Sequence, residues 1–226
     1  MSRKDFYKKK ISEHIKNKNS KILVLGSGKL DIDVFKELKY TDVHFSNVDR
    51  LSAQKKIKLQ NIHNINFKDN SFEYCVAHAC IHHSSKPHMA ILELYRVCSK
   101  GSLVIEASDS MLSRIACNLG WSEEFEFSAV NKNKFYGGVD NSRIPNYVFR
   151  WSEREIKKLI KSFKPEINHT IVFGYGNQIK FTKSILVLAL FKLFFIFFPK
   201  QQNLFSIFLE KDIKKRKYQK WYKKYK

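Results

Sequence analysis

Four consecutive apolar residues, Ile22 to Leu25, end at a short turn that contains two glycines, Gly26-Ser27-Gly28. A strand without a polar residue on either face is typical of a parallel sheet that helices cover on both sides. Glycine after such a strand lets the backbone turn sharply and come close to a ligand. This feature favours an α/β fold with a ligand site at the carboxyl end of the first strand.

The rest of the chain alternates between short apolar runs and segments with helical periodicity. Further strands are predicted at 43–48, 62–67, 72–77, 102–107, 167–173 and 204–209. Helices are predicted at 31–38, at 55–59, from Pro87 to the Lys100-Gly101 turn, from Ser152 to Pro165 and at 185–198. Ser152 and Glu155 have the spacing of a capping box. This order predicts a doubly wound, mostly parallel sheet with right-handed crossovers.

No linker divides the chain, so residues 1–210 are predicted to form one domain that opens with a basic lead-in, residues 1–20. The segment 181–199 is predicted to contain an apolar helix that does not span a membrane. Its apolar run contains Lys192 and is shorter than the roughly 20 residues that a membrane span needs.

The formal net charge is +21, and nine of the last sixteen residues, 211–226, are Lys or Arg. We interpret this segment as a solvated basic tail with interleaved aromatic residues. Two alternatives stay open: the tail binds nucleic acid, which we favour less, or it contacts an anionic membrane. In the second case the 185–198 helix and the tail would form one interfacial patch.

The cellular location is inferred from the cysteines and the N-terminus. The four cysteines show no paired framework, and no apolar segment follows the basic N-terminus. Both features favour a reducing, cytoplasmic location.

Three segments resemble, in order and spacing, the class I S-adenosylmethionine-dependent methyltransferases (methyltransferase type 11), in the branch of the ubiquinone and menaquinone methyltransferases. Residues 65–73, INFKDNSFE, resemble the family's LPFxDNSFD segment, and Ile81-His82-His83 resembles the LHH after its fourth strand. Residues 92–97 with Lys100-Gly101 resemble its LxExxRVLKPGG helix and turn. The resemblance covers about residues 20–110. It implies a Rossmann-like, seven-stranded sheet with a final antiparallel strand.

A further stretch, residues 137–151, resembles uncharacterised methyltransferases that are associated with surface-polysaccharide or glycolipid pathways. It falls within 110–150, where the resemblance implies an insertion on the substrate side.

The resemblance implies S-adenosylmethionine as the cofactor, bound at the carboxyl ends of the first strands. The implied cofactor-binding residues are Gly26, Ser27 and Gly28 at the methionine end, Asp49 with Arg50 at the ribose, Asn61 and Ile62 at the adenine, and Ala77 beside the methyl donor. Asp49 lies 23 positions after Gly26, close to the offset of about 20 at which an acid meets a ribose. Two positions depart from the family: Val24 replaces an acid, and Leu30 replaces the third glycine.

Methyl transfer to an oxygen also requires a group that accepts the proton, and histidine suits that role near neutral pH. We predict His78 and His82 as the catalytic residues. A structural role, in which His82-His83 only fixes its loop, stays open. The histidines and Cys80 crowd one loop instead of forming two separate ligand pairs, so we expect no metal site. Glu106, Asp109 and Glu123 are further candidates to face the substrate, although exposed acids near strand ends are common.

The predicted function is O-methylation of a small-molecule, sugar or lipid-linked acceptor. The alternatives are an RNA-binding protein or RNA methyltransferase, and a membrane-peripheral protein without catalytic activity.

Overall fold

Seven strands form one sheet in the computed structural model, which describes residues 2–48, 57–132, 137–179, 182, 184–211, 217–220 and 224. The strands are β1 (Ile22–Leu25), β2 (Val43–Asn47), β3 (Ile57–Leu59), β4 (Phe72–His78), β5 (Cys98–Ala107), β6 (Thr170–Gly176) and β7 (Leu204–Glu210). Their order across the sheet is β3-β2-β1-β4-β5-β7-β6. Strand β7 runs antiparallel to both neighbours, and the other pairs are parallel. The predicted mostly parallel sheet with a final antiparallel strand is confirmed.

Helices cover both faces of this sheet, so the prediction of a doubly wound fold is also confirmed. The helices are α1 (Arg3–His14), α2 (Lys29–Glu37), α3 (Pro87–Val97), α4 (Met111–Asn118), α5 (Phe127–Lys132), α6 (Glu153–Phe163) and α7 (Ile185–Phe197). Helices α1 and α2 pack on one face, and α3 and α6 pack on the other. Each face therefore has its own hydrophobic core, as expected for a central strand such as β1 that is buried on both sides.

The predicted basic lead-in contains a three-turn helix, α1, that belongs to the core. Ser2 caps it, and Phe6, Tyr7 and Ile11 are fully buried against the sheet. Five of its twelve residues, and the flanking Lys16, are Lys or Arg, so the apolar stripe is not evident from the sequence. The structure therefore places Tyr7 inside the domain, next to the end of β4.

The predictions for the segment after β2 were partly wrong. Residues 57–59, expected in a short helix, form β3 and pair with β2. Residues 62–67, expected as a strand, belong to none of the sheet's strands. Their backbone is hydrogen-bonded to side chains of α3. The N–H of Ile65 donates to Glu93 at 2.8 Å, and the carbonyl of Phe67 accepts from Arg96 at 2.9 Å. Their apolar residues pack against α3 instead of filling a strand.

Two local details also differ from the predictions. The helix that begins at Pro87 ends at Val97, and β5 begins directly at Cys98. At the start of α6, Ser152 accepts from the N–H of Glu155, as predicted. The Glu155 carboxylate pairs instead with Nε2 of His88, at 2.9 Å, so the capping box is only half formed.

Part of the segment expected as a detached tail lies against the domain. Lys211 is 3% exposed and donates to the carbonyls of Tyr95 and Arg96. Backbone hydrogen bonds join residues 166–168 to residues 217–219. Among the helices that the structure describes, none has the length and apolar character needed to cross a membrane.

Candidate functional site

The glycine turn after β1 is shaped by a close approach from the loop that follows β4. Gly26 has a φ of +63°, which favours glycine. A Cβ atom at Gly26 would lie 2.4 Å from Cβ and 2.6 Å from Sγ of Cys80. Both the backbone conformation and the packing against Cys80 therefore require glycine at this position.

The other two residues of the turn have different surroundings. Ser27 is buried and its polar groups are used inside the protein: its N–H donates to Ser46, its hydroxyl donates to Val24, and its carbonyl accepts from Asn47. Ser27 thus ties the turn to β2, and a direct contact with a cofactor stays a prediction. Beside Gly28 there is open space, since a Cβ there would meet only Asp31, at 4.0 Å.

A cleft of about 220 Å³ opens at the carboxyl ends of β1, β2 and β4. Of the predicted cofactor residues, Gly26, Asn61 and Ile62 line it. Asp49 and Arg50 lie outside the described residues, although Val48, directly before Asp49, lines the cleft. The cleft is also lined by Asn47, Gln60, Ala79, Cys80, His83 and Ser84.

Ala77 lies inside β4, pairs with Leu25 and is fully buried in the core below the cleft. Ala79, two residues further along, lines the cleft and has a φ of +49°. The wall residue at this point is therefore Ala79, because β4 continues to His78 before the chain turns into the cleft.

Three buried polar side chains meet where α1, the start of α2 and the end of β4 come together. The ring of Tyr7 stacks on that of His78, with centroids 4.3 Å apart, and Nδ1 of His78 lies 3.9 Å from Oδ1 of Asp31. Within the described residues, the Tyr7 hydroxyl, Nε2 of His78 and Oδ1 of Asp31 have no hydrogen-bond partner. Buried polar groups are usually paired, so these atoms are suited to accept a polar part of a ligand.

A second polar cluster joins the loop after β4 to the end of β5. Glu106 is 3% exposed and accepts from the backbone N–H of Cys80 and of Ile81, at 2.9 and 2.7 Å. Its other oxygen lies 2.7 Å from Nδ1 of His82. Nε2 of His82 lies 3.3 Å from Glu126, before α5. Glu106 therefore fixes both the backbone of the loop at Cys80 and Ile81 and the side chain of His82.

The surroundings of His78, at the end of β4, and of His82 and His83 in the loop give the three histidines different protonation states. Burial acts to lower the pKa of His82, but the charge and hydrogen bond of Glu106, then Glu126, raise it to about 10. Burial and the positive charge of His82 lower the pKa of His83. Burial, with the charge of Arg3, lowers that of His78 to about 4. At neutral pH His82 is an imidazolium, whereas His78 and His83 are neutral.

The two carboxyl groups of the cluster stay ionised. The hydrogen bond from His82 lowers the pKa of Glu126 to about 2 against the effect of burial. Burial acts to raise the pKa of Glu106, but the charge and hydrogen bond of His82 hold it below its ordinary value. The cluster is therefore a network with a net charge of −1, in which one imidazolium lies between two carboxylates.

His82, His83 and Glu126 offer three possible metal-ligand atoms within 4.8 Å of one another, the one such group that the described part of the chain contains. Each histidine ring already has protein partners: Glu106 and Glu126 for His82, and the Gly137 carbonyl for His83, at 3.0 Å from Nδ1. We interpret the group as a hydrogen-bonded cluster.

A second cavity, of about 390 Å³, lies beyond Glu126. Apolar residues of α4 and α7 line it, together with the polar side chains of Arg3, Glu123, Glu126 and Arg150. Trp121 also lines it. Glu126 thus belongs both to this cavity and to the cluster that borders the cleft through His83.

Several site residues could not be identified from the sequence. Glu106 was only one of several strand-end candidates, without its role in holding the loop, and Glu126, Asp31 and Tyr7 were identified only from their positions in the fold. The one available signal was Asp31 in the first turn of α2, an acid where the helix dipole favours one.

Comparison with known proteins agrees with this geometry. Residues 26–105 match the model of a family described as a methyltransferase domain. No characterised protein matches the chain by sequence.

Solved structures share the fold at low identity. A SAM-dependent methyltransferase from Archaeoglobus fulgidus has a TM-score of 0.55 at 9% identity, covering 92% of this chain and 94% of the other. The YcgJ protein from Bacillus subtilis has a TM-score of 0.53 at 13% identity, covering 93% and 98%. Magnesium protoporphyrin IX methyltransferase from Synechocystis, solved with bound SAH, has a TM-score of 0.53 at 10% identity, covering 92% and 82%.

Proposed function

We propose that this chain, residues 26–105 of which match a methyltransferase domain, is a class I S-adenosylmethionine-dependent methyltransferase that methylates a hydroxyl group of a small-molecule, sugar or lipid-linked acceptor. One observation carries the proposal: the segment that matches the methyltransferase family also builds the cleft at the carboxyl ends of β1, β2 and β4. The second cavity, beyond Glu126, is the proposed acceptor site.

The residues present fit the cofactor. Gly28 leaves open space beside the turn. The side-chain oxygen of Asn61, which accepts from the N–H of His63 at 3.1 Å, has a second lone pair that suits an exocyclic amino group. The buried Asp31 accepts from the N–H of Gly28 through Oδ2, and its Oδ1 has no hydrogen-bond partner in the described residues, so this carboxylate suits the ammonium group of a methionine moiety. Burial raises the pKa of Asp31, and a bound ammonium would reverse that effect.

When bound, S-adenosylmethionine supplies a methyl group that its sulfonium makes electrophilic. The protein then has to orient the acceptor oxygen in line with that methyl group and to remove the hydroxyl proton. His78 is a weak base because of its low pKa, and His82 is already protonated. We therefore assign proton removal to the neutral His83 and treat His82 as a positioning residue.

The surroundings of His83 support this assignment. The Gly137 carbonyl, 3.0 Å from Nδ1, favours a proton on that nitrogen and leaves Nε2 free to accept one. The amide nitrogen of Asn146 lies 2.5 Å from the same Nδ1, so a proton on Nδ1 requires the Asn146 amide to be rotated, with its otherwise unpartnered oxygen toward His83. Glu126, 3.4 Å from Nε2, would stabilise the imidazolium once the proton has moved.

Calorimetry tests the cofactor. We expect the wild type to bind both S-adenosylmethionine and S-adenosylhomocysteine, and Asp49→Ala to weaken both by at least about tenfold, because a ribose hydrogen bond to a charged group is lost. The control Glu166→Ala removes a partly exposed acid between α6 and β6 and should leave the affinity unchanged. No binding by the wild type would contradict the proposed function.

The protonation states can be measured without any acceptor. In ¹⁵N NMR spectra of the histidine rings, we expect His82 to remain an imidazolium well above pH 7 and to lose its proton near pH 10. His83 should be neutral at pH 7 and gain its proton only below its ordinary pKa of about 6.5. The variants His82→Gln and His83→Gln assign the signals. A protonated His83 at pH 7 would exclude it as the base.

A further inference from the structure

Helix α7 has an unusual surface for a helix at the outside of a domain. Twelve of its thirteen residues are apolar, Lys192 being the exception, and none of them is buried. Ile185 is 85% exposed and Phe197 71%. A helix that is apolar all round is typical of a protein interior or of contact with lipid.

The two sides of α7 have different roles. Phe191 and Phe195 lie one turn apart and line the second cavity. On the opposite side Leu186, Leu190 and Leu193, at helical spacing, are all more than half exposed. The helix is thus a wall of the cavity on one side and an apolar outer surface on the other.

Helix α4 and the turn after it extend this surface around the mouth of the cavity. Met111 and Leu119 are 61% and 55% exposed, and Ile115 lines the cavity as well. The helices are joined at their ends by Gln201, which follows α7 and accepts hydrogen bonds from Ser110 and Leu112. We call the exposed side chains of α7 and α4 the apolar rim.

The charge around the rim indicates which partner covers it. Between Glu166 and Glu210, the stretch that contains α7, the sequence has Lys180, Lys183, Lys192 and Lys200 and no acidic residue. Lys200 pairs with Glu153, and Asp109, before α4, pairs with Arg114. Glu123 and Glu126 line the cavity itself. Apolar side chains among lysines, on a chain with a net charge of +21, complement a surface that is apolar inside and anionic outside. A lipid bilayer with anionic headgroups has that chemistry.

The length of α7 indicates its orientation at such a surface. Thirteen residues at about 1.5 Å each make roughly 20 Å, less than the ~30 Å hydrocarbon thickness of a bilayer. The helix would lie in the plane of the interface with its exposed leucines directed toward the acyl chains.

We propose that the apolar rim docks on an anionic lipid bilayer, so that the second cavity opens at the membrane surface and takes an amphiphilic acceptor from it. Docking itself does not depend on the proposed function, whereas the nature of the acceptor rests on it. The aromatic wall of Phe191 and Phe195 suits an apolar chain, and Arg3 and Arg150 suit a polar or anionic head group.

Vesicle sedimentation tests the docking. Full-length protein is mixed with phosphatidylcholine vesicles that contain either no or about one-third phosphatidylglycerol. We expect strong binding to the anionic vesicles, weaker binding to the neutral ones, and at least a fivefold loss of binding for Leu190→Glu. The matched control is Met89→Glu on α3, which adds the same charge at a residue exposed to 45%, compared with 58% for Leu190. It should bind within twofold of the wild type.

Other results would overturn the proposal. These are absence of binding to anionic vesicles, equal losses for both variants, or a wild-type dimer that Leu190→Glu converts to a monomer, which would make the rim an interface between two copies. Thermal melts of each variant show whether it folds. S-adenosylhomocysteine calorimetry without lipid tests the proposed function separately, so the failure of either idea is recognisable.

Discussion

Substitution of Gly26 by alanine is expected to abolish most cofactor binding and to destabilise the protein. An L-residue at a φ of +63° is strained by about 1–2 kcal/mol. The new Cβ would also collide with Cys80 at 2.4 Å, and such overpacking costs a further ~1–3 kcal/mol. Relief of the collision would move the turn or the loop after β4, both of which line the cleft. We expect S-adenosylhomocysteine affinity to fall at least about 100-fold in calorimetry.

Gly120 provides a matched control, because it has a φ of +70° and a Cβ there would meet nothing within 4 Å. Gly120→Ala should cost only the conformational part, about 1 kcal/mol in urea unfolding, and leave the affinity unchanged. Adding Cys80→Gly to Gly26→Ala should recover part of the stability, since the colliding atoms are removed. Equal effects of the two alanine variants would show that the close approach of Cys80 is unimportant.

Removal of the Glu106 carboxylate is the second substitution for which we expect a large effect. Glu106→Ala would leave the imidazolium of His82 and two backbone N–H groups without their buried acceptor. Breaking a buried ion pair from one side costs about 3–5 kcal/mol. The measurement is the free energy of unfolding in urea at pH 7. Glu155→Ala, which breaks the partly exposed pair with His88, should cost less than about 1 kcal/mol.

The pH dependence of stability distinguishes loss of this pair from loss of packing. The pKa of His82 is raised in the folded protein, so its contribution is complete below about pH 6.5 and is lost as the pH rises toward 10. The wild type should therefore lose stability over that range. Glu106→Ala should flatten this decline, because the carboxylate that holds the proton on His82 is gone. An unchanged decline would contradict the role assigned to the pair.

Local sequence patterns correctly predicted the strands and helices whose burial or capping shows in residues close together in the sequence. The apolar run of β1, the period of α3 and the cap at Ser152 each concern residues within a few positions of one another. Where a residue is apolar because it packs against an element distant in sequence, the prediction was wrong. Ile65 is apolar because it packs under α3, with its backbone bonded to Glu93 and Arg96, and no local pattern distinguishes that from a strand.

The candidate site divides in the same way. The glycine turn, Asn61-Ile62 and the histidine loop were found from motifs, since each lies in one contiguous segment, and the structure brings Gly26, Asn61 and His83 to one cleft. The protonation states of the histidines depended on partners far away in sequence. Glu106 is 24 residues from His82, and Glu126 is 44 residues away. The low pKa of His78 comes from burial, partly under Tyr7 of α1.

The sequence alone determined the glycine turn, the order of strands and helices, and the resemblance to methyltransferases. Each of these depends only on consecutive residues or on the order of segments along the chain. The buried role of α1 and the apolar rim around the second cavity were decided only by the tertiary structure, and the proposal of His83 rather than His82 as the base also rests on it. Burial and charge partners set a pKa, and neither is local. Likewise, the apolar composition of α7 is visible in the sequence, but which of its sides meets the protein and which is exposed depends on how the helix packs.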